Sequence, residues 1–171
     1  MTDSKEKRFL ELYEGEVQNR AFALMYTERS STSWGDNDIE AFWRVYYDLE
    51  VINQRLYKPY ADKFGLDMQP TFFTSVKTSS LRLMSNLFPE YMLNTLYTST
   101  VKYLEGLKEM ENLAPEEDKD FYRYVVEQEA AQVEALRLVS QGEAKKATKV
   151  LADYVNNQIP TNNEYSFEVN K

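Results

Sequence analysis

Three glutamates stand where an amphipathic helix should carry apolar side chains. Glu16 lies among Leu12, Tyr13 and Arg20, Glu50 beside Tyr46, Leu49 and Asn53, and Glu129 among Val125, Val126, Gln132 and Val133. A carboxylate inside an apolar stripe needs a partner or a role, because an ionised group taken out of water is costly unless it is paired or coordinated. Oxygen-rich clusters of this kind bind divalent cations. Asn53, Gln128 and Gln132 share the same helical faces and add amide oxygens, neutral ligands better suited to Mg²⁺, Ca²⁺ or Mn²⁺ than to a redox-cycling iron pair. The expected metal set is therefore Glu16, Glu50 and Glu129, with Asn53, Gln128 and Gln132 in support. No catalytic residue and no organic cofactor is assigned; the metal open to such a site is Mn, Mg, Ca or Fe.

Depth along the helices brings the three carboxylates together. A helix rises about 1.5 Å per residue, and Glu16 and Glu50 lie roughly 17 residues before and after the first interhelix turn near Ser33. Glu129 lies roughly 15 residues past the turn near Ala114, again at mid-bundle. The same side chains also have plainer uses. Each Glu can be a solvated or ion-paired helix residue, and Arg20, one turn beyond Glu16, can pair with it and remove the need for metal. Gln128 and Gln132 can be buried amides satisfied by hydrogen bonds.

Composition narrows the chemistry further. The 171 residues include no His, which excludes a Ser-His-Asp triad, a zinc hydrolase site and an ordinary His/carboxylate di-iron site. They include no Cys either, so there is no disulfide framework, thiolate metal site or cysteine nucleophile, in keeping with a reducing cytoplasm. A net charge of -8 and the lack of any Lys/Arg cluster argue against nucleic acid as a partner. The charged opening, and the lack of any apolar run of roughly 18 residues, argue against export and membrane spanning, so a cytoplasmic location is expected.

The elements that must carry these residues are helical. With 43% hydrophobic and 14% aromatic residues the chain can build a core, while 5 Gly and 5 Pro supply few turns for a sandwich or barrel. Periodicity predicts a first helix from about Ser4 to Arg29 and, after a break at Ser30 to Gly35, a second from about Asn37 to Phe64 with Gly65 as its C-terminal stop. Pro59 is expected to kink that helix or end its regular part. Pro70 and Pro89 suit the first turns of a third helix to Leu87 and a fourth to about Asn112, unless the two are halves of one kinked helix. Pro115 followed by three acids signals a fifth, Glu116 to Gln141, stopped by Gly142. A shorter helix follows from Glu143 to about Asn157. The expectation is an all-α, up-and-down bundle of about five to six helices, a single domain over 1–158 with a polar tail over 159–171.

Two short stretches give this bundle a family resemblance. Glu50-Val51-Ile52-Asn53 and Glu129-Ala130-Ala131-Gln132 have the spacing of Glu-x-x-His, with an amide where the imidazole would be. Together with Tyr13-Glu14-Gly15-Glu16, Tyr124 to Glu129 and the closing Gln141-Gly142, they make the chain resemble bacterial ferritin-like proteins of unassigned function, in outline over 4–157. The resemblance implies a carboxylate-bridged di-metal site, built from a Glu on each of two helices and a Glu-x-x-His on each of two others. The chain departs from that pattern at both His positions and at Gln128, where a further His is expected. Its fourth helix also lacks a carboxylate at the matching depth, since Glu90 and Glu105 are distant and Tyr97 or Thr98 is nearer. A lost or altered metal centre is implied.

The expected function is accordingly a binding or regulatory module, or a relative that has lost activity, and more readily a non-enzyme than an enzyme. The enzyme alternative is a non-redox metal-dependent activity of the Glu cluster. A third reading is a protein-interaction bundle, a homo- or hetero-oligomer in which Trp34 and Trp43 are partly exposed. Trp34, Trp43, Tyr46, Tyr47, Tyr57, Tyr60, Phe72 and Phe73 also crowd around the second helix, as ordinary core or as the lining of a pocket for a small apolar or aromatic ligand.

Overall fold

The computed structural model describes residues 4–32, 37–70 and 89–158, and the fold is stated for these. Five α-helices form an up-and-down bundle: α1 (Ser4–Ser30), α2 (Asn37–Lys63), α3 (Pro89–Leu113), α4 (Lys119–Ser140) and α5 (Ala144–Gln158). The third helix expected between Pro70 and Leu87 falls, beyond Pro70 itself, outside the described residues. So do Trp34 and the polar tail over 159–171.

The helix ends follow from local chemistry. α2 and α4 each finish on a glycine with positive φ, Gly65 at 67° and Gly142 at 78°. In both, the following residue's N–H reaches back five positions, Leu66 to the Ala61 carbonyl and Glu143 to the Leu138 carbonyl, each at 2.9 Å. The glycine's own N–H bonds three positions back, to Asp62 and to Val139. That double closure needs a left-handed residue between the helix and the outgoing chain, which glycine alone adopts without a Cβ penalty.

Two sequence expectations are corrected. Pro59 does not end α2, which continues to Lys63. A proline deletes one N–H donor near the end of a long helix, and the fully buried Tyr57 and Ala61 on either side hold the last turns in place. The helix expected from Glu116 instead starts with a tighter turn, a 3₁₀ segment at Glu116–Asp118, before α4 begins at Lys119. Pro115 is extended at φ -55° and ψ 139°, and its carbonyl accepts the Asp118 N–H at 3.0 Å, an i to i+3 closure.

The five helices adjoin one another in the cyclic order α1, α2, α5, α4, α3 and back to α1. Their inward faces build two apolar clusters rather than one. The first gathers Tyr26, Phe42, Trp43, Leu49, Leu136 and Leu151 with their neighbours. The second gathers Phe9, Tyr13, Tyr57, Met110, Phe121 and Tyr122. Aromatic rings dominate the second cluster: Tyr122 takes Phe9 and Tyr13 edge-on at centroid distances of 5.1 and 5.3 Å, and Phe121 stacks on Tyr60 at 3.7 Å.

Between the clusters runs a layer of polar side chains. On α1, Arg20 lies between Val17 of the second cluster and Tyr26 of the first; on α4, Gln128 to Gln132 lie between Val125 and Ala135. Replacing a cluster residue remote from this layer should act on stability alone. Leu151→Ala on α5, where the side chain is fully buried, is expected to cost about 2–5 kcal/mol in urea unfolding.

Candidate functional site

All six residues of the expected metal set are buried, and α1, α2 and α4 bring them into one layer: Glu16, Glu50, Asn53, Gln128, Glu129 and Gln132. The centre of the layer is a guanidinium. Arg20 is 1% exposed and faces a carboxylate from each of the three helices. Its Nη1 donates to Glu50 Oε1 at 3.1 Å and Oε2 at 3.3 Å, and its Nη2 donates to Glu129 Oε2 at 2.9 Å. Its Nε lies 3.0 Å from Glu16 Oε1, an ion-pair contact off the axis of the N–H bond. Nη1 also reaches Gln128 Oε1 at 3.5 Å.

Amides and phenols complete the layer. Gln132 Nε2 donates to Glu50 Oε1 at 2.7 Å and to Gln128 Oε1 at 2.9 Å. Asn53 Nδ2 donates to Glu50 Oε2 at 3.3 Å and to Gln128 Oε1 at 3.1 Å, while its Oδ1 accepts from the Tyr124 hydroxyl at 2.6 Å. Gln128 Nε2 donates to Glu129 Oε2 at 3.2 Å. Glu16 is satisfied by two phenols, Tyr57 donating to Oε1 at 2.6 Å and Tyr103 of α3 to Oε2. Nearly every polar atom of the layer has a partner, which is the condition for burying charge at tolerable cost.

Electrically the layer is unbalanced, with one guanidinium against three carboxylates. Burial pushes Glu129 up to about 7; Glu16 and Glu50 push the same way against the pull of Arg20. Burial also raises Glu50, again opposed by Arg20 and by the amides of Asn53 and Gln132. For Arg20 burial acts to lower the value, but the three carboxylates outweigh it and hold the guanidinium well above its ordinary range. Near neutrality the layer therefore retains part of a proton, shared chiefly at Glu129.

No family model, no curated protein and no solved structure matches this chain. The ferritin-like resemblance thus rests on the residues quoted for it, and the architecture stands as a five-helix up-and-down bundle. None of the described helices is long and apolar enough to cross a membrane.

Sequence reasoning anticipated the layer but not its centre or its phenols. Arg20 was visible as an i+4 partner of Glu16, while its reach to Glu50 and Glu129 depends on two other helices. Tyr57 falls one turn after Asn53 and Tyr124 one turn before Gln128, a spacing that could have found both. Tyr103 rather than Tyr97 or Thr98 is the contribution of α3. It lies ten residues before the end of α3 at Leu113, and Glu129 lies ten residues after the start of α4 at Lys119. The 3₁₀ turn lengthens the connection and shifts the register by more than one helical turn.

The described members of the aromatic crowd fall into different parts of the core. Trp43 and Tyr46 belong to the first apolar cluster, Tyr57 and Tyr60 to the second, and Trp34, Phe72 and Phe73 lie outside the described residues. Trp43 is 1% exposed, against the partial exposure expected of an interaction surface. A crevice of about 70 Å³ does open beside the polar layer, between α1, α2, α3 and α4, with Arg20, Trp43, Tyr46 and Glu129 among its lining residues.

Proposed function

We propose that the protein is a metal-free binding or regulatory bundle of ferritin-like architecture, in which the Arg20 guanidinium holds together a carboxylate layer that in metal-binding relatives of this architecture would surround metal ions. The observation that carries this reading is the position of Arg20, fully buried and within 2.9 to 3.1 Å of carboxylates from α1, α2 and α4. A guanidinium is a permanent cation with donors in a fixed fork, so it neutralises carboxylates without a labile ligand or an open coordination position. The donor set fits a di-metal pair poorly for the same reason: five of the six carboxylate oxygens are already committed to Arg20, Tyr57, Tyr103 and the amides. Among the described residues, no group of three or more Asp or Glu side chains is arranged to hold a metal ion.

The enzyme alternative keeps Glu16, Glu50 and Glu129 as ligands, with Asn53, Gln128 and Gln132 in support, and needs Arg20 to swing out. Elemental analysis of the protein as purified separates the two, together with thermal unfolding of chelator-treated protein against Mn²⁺, Mg²⁺, Ca²⁺ and Fe²⁺. The metal-free reading expects no metal near stoichiometry and an unchanged Tm. Stoichiometric metal with a rise in Tm that Glu50→Ala abolishes would overturn it, since a ligand that binds only the folded state stabilises by mass action.

A further inference from the structure

We draw no further inference here: the strongest candidate, the outward stripe of α3 that carries the exposed Tyr91 and Val101, is an unpartnered helix face, and nothing in the structure shows what covers it.

Discussion

Arg20→Met is expected to destabilise the protein by about 3–5 kcal/mol in urea unfolding at pH 7.5. The methionine fills much of the space of the arginine stem but leaves Glu16, Glu50 and Glu129 facing one another without a cation. Each is 2% exposed or less, so water cannot take over the role of the guanidinium. Part of the loss will be met by protonation, which makes the deficit smaller at acidic pH. Changing the whole layer should behave differently. Arg20→Met combined with Glu16→Gln, Glu50→Gln and Glu129→Gln removes the positive and the negative charges together and should recover most of the deficit, a coupling that independent sites would not show. The shortened Arg20→Ala variant supplies a further sign, since it leaves room among three carboxylates and should gain a Tm increase from Mn²⁺ that the parent lacks. A loss below about 1 kcal/mol for Arg20→Met, or equal losses for the single and combined variants, would remove Arg20 from the centre of the argument.

The sequence announced this layer through position rather than motif. Glu16, Glu50 and Glu129 interrupt apolar stripes, and counting residues from the interhelix turns put them at one depth, where they are found. Helix existence was equally legible: periodicity and the stop signals at Gly65 and Gly142 match α1, α2, α4 and α5 to within a few residues. What sequence could not supply was the identity of the group at the centre. A side chain one turn from Glu16 reads as its local partner, and only the approach of α2 and α4 turns Arg20 into the partner of three carboxylates. Tyr103 was missed because its register depends on the 3₁₀ turn at Glu116–Asp118, a local geometry set by Pro115 that residue counting treats as ordinary helix. The division of the core into two clusters was hidden for a related reason. The apolar stripe of each helix is continuous in sequence except at the polar positions, and their alignment across helices is what makes the gap a layer.

Acidity should stabilise this protein across a range where most proteins gain little. Burial raises Glu129 to about 7 in the folded chain, whereas an unfolded glutamate titrates near its ordinary value of 4.5. Between those two values the folded state binds the extra proton. The associated stability is therefore fully present below about 4.5 and is lost as pH rises through about 7, the reverse of a salt-bridged carboxylate. Glu50, also raised by burial, adds in the same direction. Glu109 and Glu134, held low by Arg8 and Arg137, and Glu117, held low first by a hydrogen bond to its own backbone and then by Lys63, act oppositely, but they are exposed to water and exert themselves only in the acid range below their ordinary values. At roughly 1.4 kcal/mol per unit of pKa difference, unfolding free energy should fall by about 2 kcal/mol between pH 5.5 and pH 8. The net charge of -8 contributes a background slope of the same sign through self-repulsion, so the decisive measurement is the difference between the parent and Glu129→Gln. The amide keeps an acceptor for Arg20 and has no proton to lose, and its unfolding free energy should vary with pH by the background alone. Parallel pH profiles for the two proteins would mean that Glu129 is ionised throughout and that the layer carries its excess negative charge unrelieved.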